Sequence, residues 1–234
     1  LITRSKANIN ILWEIRKVNF VDMNPKKIIN NLNRHKLEII RVLSTNNWRH
    51  FRDYFVIKEK YLSNNIDNQF EKVFCGFYIM NGARGLNKPQ KKEFFRLLSS
   101  RETNLEKILK SLYKIPGYKN SRRLFLSFGT KLLHTINEKL PIYDGNIAYI
   151  LELPSQVYPA SFEEKIKNRI DIYKVLKEKF DVLLADVEIR DYINNVRQEL
   201  QNKAELNKFL WQNKYISDTK LLDSLLWALY SILK

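Results

Sequence analysis

Apolar residues recur along this chain at intervals of three and four, and turn-forming residues fall between the runs. Asn24-Pro25 reads as a helix start, since Pro is tolerated in a first turn where its missing N–H costs nothing. Ile28, Ile29, Leu32, Leu37, Ile40 and Leu43 follow at helical intervals. A second helix is predicted from Thr45 through Ile57 and a third over about Asn65 to Met80. Asn81 to Asn87 is the clearest loop of the first half, with Arg84 at its middle. Lys91–Leu98 and Asn104–Tyr113 read as amphipathic helices, the latter closed by Pro116-Gly117. A helix resumes over Ser121–Ile136, and Asp144 opens a short one toward Leu151. After a loop over Leu153–Ser161, three or four helices finish the chain, the last being the strongly apolar Leu221–Leu233.

With six Gly and six Pro in 234 residues, too few turn clusters exist to punctuate the many strands of a β protein. The expected fold is therefore all-α, as two helical lobes with a basic groove between them. Residues 1–153 form a basic lobe and 154–234 are C-terminal helices packing back on it, with one continuous domain as the alternative. Trp13, Trp48, Trp211 and Trp227 sit in apolar helical patterns, where core packing is the expected use, Trp227 being also a candidate for the groove.

Charge changes this picture. Lys and Arg number 41 against 25 Asp and Glu, and the excess is uneven: +8 over residues 1–60, +6 over 61–120, +3 over 121–180 and −1 over 181–234. Residues 107–137 hold seven cations (Lys107, Lys110, Lys114, Lys119, Arg122, Arg123, Lys131) and no carboxylate. Self-repulsion there has no internal relief, and such a surface attracts phosphates. The competing reading is a solvated face set by composition.

The single cysteine, Cys75, excludes an internal disulfide and an iron–sulfur cluster, and three scattered histidines offer no zinc-ligand spacing. No metal or other cofactor is expected, and the compartment is expected to be reducing and cytoplasmic. No apolar run is long enough to cross a bilayer, and the first twenty residues lack the order of a signal peptide. Motifs for nucleotide phosphate loops, zinc proteases and serine hydrolases are absent.

Two residues stand out chemically. On a helix turning 100° per residue, Lys131 falls at the border of the apolar face of Ser121–Ile136, where desolvation would lower its pKa toward a nucleophilic amine. A lysine snorkelling from a helix flank is the alternative. Gly129, two residues earlier, is a mid-helix glycine of the kind that marks close backbone approach or a kink. Thirteen residues past Lys131, Asp144 is first of all an N-cap, and an ionised carboxylate held there is also able to face a developing cation.

A Pro-Gly hairpin, then Gly129-Thr130-Lys131 on a helix, then Pro141-Ile142-Tyr143-Asp144 opening the next, resembles the helix-hairpin-helix DNA glycosylases of the endonuclease III and 8-oxoguanine glycosylase superfamily. The resemblance covers about Leu112 to Leu151. Lys119 stands where that family's hairpin has a second glycine, and Lys131 lies farther from the hairpin than the family's lysine does. The resemblance implies an Asp144 that supports a cationic sugar transition state and a Lys131 that attacks C1′ of the sugar as a Schiff-base nucleophile. It also implies a hairpin that holds the backbone of double-stranded DNA. Lys114, Gly117, Lys119, Arg122, Arg123 and, in the earlier loop, Arg84 are the candidate nucleic-acid contacts. A non-catalytic DNA- or RNA-binding module and an all-helical interaction protein are the alternatives.

Overall fold

The structure, a computed structural model, is described for residues 24–82, 85–157, 161–202 and 215–234. Those residues form helices joined by short connections and contain no strand. Arg84, Trp13 and Trp211 lie outside the described residues.

Helix α1 (Pro25–Arg34) begins as its sequence predicts, with the Asn24 side chain accepting the Lys26 N–H. The chain breaks at His35 and then continues as one helical element, α2 (Lys36–Leu62), in which Trp48 departs from helical φ. The expected start at Thr45 is not a start. Ser44 and Thr45 donate their hydroxyls back to the carbonyls of Arg41 and Val42, at 3.0 and 2.8 Å, so both are satisfied inside a continuing helix. The break at His35 also resets the phase, leaving Leu37 78% exposed while Ile39, Ile40 and Leu43 turn inward. Within α2 the bulky Trp48 takes a φ of 59°, a left-handed conformation reached only under constraint, one residue before Arg49 and His50.

Helix α3 (Asn68–Phe77) is capped by Asp67, α4 (Lys88–Ser99) by a reciprocal Asn87–Gln90 box and α5 (Leu105–Lys114) by Asn104. After the Pro116-Gly117 turn comes a single 3-10 turn, Tyr118–Asn120, and an extended stretch before α6 (Leu126–Ile136). The helix expected from Ser121 thus begins five residues late. Lys119 and Asn120 both adopt left-handed φ values, 55° and 54°, and the Gly117 N–H donates to the Ser121 carbonyl at 2.7 Å, which closes the turn on itself. Helices α7 (Gly145–Ile150), α8 (Phe162–Ala185, with a Ser161–Glu164 capping box), α9 (Val187–Asn202) and α10 (Asp218–Leu233) complete the order.

Helix α10 is the element that assembles the rest. It packs on α2 and α7 and also touches α1, α8 and α9. Ser217 and Thr219 at its start donate to the carbonyls of Glu138 and Lys139, fixing the turn that follows α6. One hydrophobic cluster runs from Ile28 in α1 to Leu229 in α10. Helix α6 lies within it and is buried on nearly every side from Leu126 to His134. Gly129 marks its tightest crossing: a Cβ there would meet Leu105 Cδ1 at 2.9 Å and Leu109 Cδ2 at 3.3 Å. No described helix is long and apolar enough to cross a membrane.

Candidate active site

Lys131 is placed by burial. Its residue is only 7% exposed, in the middle of α6. The Nζ donates to the Tyr78 carbonyl at 3.2 Å and lies over the rings of Tyr78 and Phe128, 5.5 and 5.2 Å from their centroids. Tyr78 caps the C-terminus of α3, so its carbonyl is one of the acceptors that a helix end leaves over. Removal from water pushes the amine from its ordinary 10.5 down to about 8, while the charges of Asp144 and Asp223 pull it up and Lys220 pushes it down further.

Asp144 is the N-cap of α7, its Oδ1 accepting the Asn146 N–H at 2.9 Å. The segment before it carries no regular secondary structure, and Asp144 itself is extended, with φ −134° and ψ 149°. Ile142 and Asp144 face one cavity and Tyr143 faces another. A direct link sets the register: the Tyr143 N–H donates to Thr130 Oγ1 at 2.9 Å, and Thr130 is fully buried. Lys131 and Asp144, one residue beyond each, line the same cavity of about 410 Å³.

That cavity also holds residues without a local sequence motif. Lys220 and Asp223 of α10 form an ion pair of 2.5 Å, at side-chain exposures of 3% and 8%. The Lys220 amine lies over the rings of Tyr54 and Phe77, 5.5 and 5.6 Å away. At the rim Arg49 pairs with Asp53 at 3.0 Å. His50 stacks on Trp227 at 5.9 Å and meets Ser224 Oγ at 2.8 Å. The Ser224 hydroxyl donates to the Lys220 carbonyl, so the His50 Nε2–H is the donor to Ser224. Burial, aided by the Lys220 charge, pushes His50 down to about 3 and keeps its ring neutral. The signal for the distal pair was two opposite charges, Lys220 and Asp223, flanking Leu221-Leu222 one turn apart on α10. Trp227, a candidate for the groove, lines this cavity.

The hairpin residues lie elsewhere. Lys114, Lys119, Arg122 and Arg123 are exposed, and Gly117 is half-buried. The Pro116-Gly117 turn is anchored to α4, with Asn87 Nδ2 donating to the Pro116 carbonyl and Gln90 Nε2 to that of Ile115. Because the Gly117 N–H is spent on Ser121, that amide is not an open donor for a phosphate. The acid-free run is also partly neutralised from outside: Lys107 pairs with Glu102 and Lys110 with Glu106.

Arg122 and Arg123 instead line a second cavity, of about 710 Å³, between the start of α6 and the first turns of α8. Lys165 and the buried Arg169 of α8 face it too, and no carboxylate among the described residues lines it. No group of three or more side chains suited to a metal ion occurs among the described residues. Comparison of the chain with family models, with curated proteins and with solved structures finds no match in any of the three.

Proposed function

We propose that this chain acts on DNA as a base-excision glycosylase with lyase activity, Lys131 being the nucleophile and Asp144 its electrostatic partner. The observation that carries this reading is the shared cavity. A buried amine drawn down to about 8 and a helix-capped carboxylate line one recess, whose volume of about 410 Å³ suits a single nucleobase and sugar. Phe77 and Trp227 offer stacking faces to a base turned out of the duplex.

In this mechanism the lone pair of neutral Lys131 attacks C1′ as the C1′–N bond breaks, and the electrons of that bond leave with the base. Asp144 faces the positive charge that develops on the sugar, and its carboxylate is held by the amide of Asn146, the second residue of α7. The nitrogen then gives up one proton, O4′ takes up another, and the ring opens to a protonated Schiff base. The tertiary arrangement thus supplies an amine able to lose its proton near neutrality, which a solvated lysine does not.

Borohydride trapping on duplexes bearing an abasic site or a damaged base tests the proposal. Wild-type protein is expected to yield a covalent complex and Lys131→Gln none. Absence of an adduct across abasic and damaged-base substrates, or an undiminished one in Lys131→Gln, refutes the lyase step.

A further inference from the structure

The unassigned feature is the second cavity. Four cations line it, two from the extended stretch after the hairpin (Arg122, Arg123) and two from successive turns of α8 (Lys165, Arg169). Some cations elsewhere in the fold are matched by nearby acids, as in Lys27–Glu152, Lys36–Glu199, Lys58–Glu138 and Lys60–Asp67, whereas the four here converge on one concavity. Here none of Arg122, Arg123 and Lys165 is ion-paired among the described residues. Holding Arg122, Arg123 and Lys165 around one concavity with no carboxylate among its described lining residues favours the entry of an anion.

The geometry is that of a prepared site. Arg169 is only 1% exposed, and its guanidinium donates to the neutral Asn168 Oδ1 at 2.6 Å. Asn168 also receives the Val157 N–H and thereby holds the 155–157 loop, whose Gln156 lines the same wall. The floor of the cavity includes the first turn of α6, and no side chain caps that helix. The Leu126 N–H is taken by the Leu124 carbonyl, while those of Ser127 and Phe128 lack the side-chain acceptor that Asp, Asn or Ser supplies to most other helices of this fold. A helix N-terminus open to a ring of cations and to no acid matches an anion with several acceptor oxygens.

We infer that this cavity binds a phosphate group, and specifically a phosphodiester of the strand whose sugar reaches Lys131. Ser127, on its floor, precedes Lys131 by four residues, about 6 Å of helix axis. That is of the order of the distance between a sugar C1′ and its own flanking phosphates. The site is thus placed to fix the sugar against Lys131 while the base occupies the first cavity. Phosphate recognition passes from the closed Pro116-Gly117 turn to the start of α6 and to α8, which a reading of the hairpin alone does not anticipate.

The inference rests on the proposed action on DNA, and one experiment separates the two. Equilibrium binding of the full chain to a duplex with a stable abasic analogue is measured against salt, with 5′-hydroxyl ends and again with 5′-phosphate ends. Single phosphodiesters beside the analogue are then replaced by neutral methylphosphonates. Lys165→Gln and Arg123→Gln are expected each to weaken binding three- to tenfold and to reduce the slope of log K against log salt by about one. Lys177→Gln, exposed on α8 outside the cavity, controls for net charge and is expected to leave the slope unchanged. One methylphosphonate is expected to weaken the wild type but not Lys165→Gln, with either type of end. Unchanged affinity and slope in both cavity variants overturn the phosphate site, even if Lys131 still traps. Losses confined to 5′-phosphorylated duplexes overturn the phosphodiester in favour of a terminal phosphate. Weakened binding by the cavity variants in a protein that forms no adduct leaves the phosphate site standing and overturns only the lyase reading.

Discussion

The backbone N–H of Tyr143 donates to the hydroxyl of the fully buried Thr130, and this bond of 2.9 Å fixes the phase between α6 and the strand-like segment that enters α7. Each partner is followed directly by a residue of the cavity, Lys131 on one side and Asp144 on the other. Thr130→Val keeps the shape and removes the acceptor. The Tyr143 amide is then buried unpaired, at a cost of about 1–3 kcal/mol. Urea denaturation is expected to show that loss, with slower trapping at saturating substrate, whereas Thr130→Ser is expected to restore most of both.

Protonation of Lys131 gives a pH profile. With the amine near 8, the single-turnover trapping rate is expected to climb as pH rises from 6 to about 8 and to level above it. A profile still rising steeply at pH 10 would mean that the nucleophile is an ordinary solvated lysine.

The same depression affects stability, with a definite sign. The unfolded chain holds the Lys131 proton up to about 10.5 and the folded chain only to about 8, so between those values folding releases a proton. The resulting penalty is full below about pH 8 and fades as pH rises toward 10.5. Lys131→Met is therefore expected to stabilise the fold at pH 7, by about 1–3 kcal/mol after allowing for the lost Tyr78 contact, and to gain less at pH 10. Thermal melts of the two proteins at both pH values check this.

Lys220 and Asp223 are interdependent. Asp223→Asn leaves a charged amine in a buried recess and is expected to lower stability by about 3–5 kcal/mol. The double change Lys220→Met with Asp223→Leu is expected to recover most of it, since neither charge is then buried alone. Equilibrium unfolding of the three proteins separates a coupled pair from two independent residues.

Gly85 sets the wall formed by Ile79 and its neighbours. A Cβ there would stand 2.1 Å from the Met80 carbonyl oxygen, a backbone atom that also accepts the Leu86 N–H. Gly85→Ala is expected to destabilise by about 2 kcal/mol or more, whereas Gly145→Ala, with open space around its Cβ position, is expected to be near neutral. Paired denaturation curves distinguish them.

Helical periodicity made the fold class legible and marked the segment opening at Asn104, while Pro25 located the start after Asn24 and capping chemistry the start after Asp144. Gly129 was readable as a close approach because few other reasons exist for glycine inside an apolar helix. The start of α6 was not readable. Two non-glycine residues in left-handed conformations displace it, and nothing in Lys119-Asn120 announces that as a glycine would. The buried ion pair of the cavity stayed hidden for another reason: Lys220 and Asp223 reach Lys131 only through the packing of α10 on α2 and α7, across some ninety residues of chain. Local spacing singled out the two residues that α6 and α7 bring to this cavity, and tertiary packing supplied its other charged residues.

The central claim concerns one nitrogen atom. Peptide mapping of the borohydride-reduced protein–DNA complex by mass spectrometry locates the bond that formed. A sugar remnant on Lys131 is expected, with yield reduced at least tenfold in Asp144→Asn. A remnant on Lys220, or on any exposed lysine, with Lys131 unmodified would contradict it.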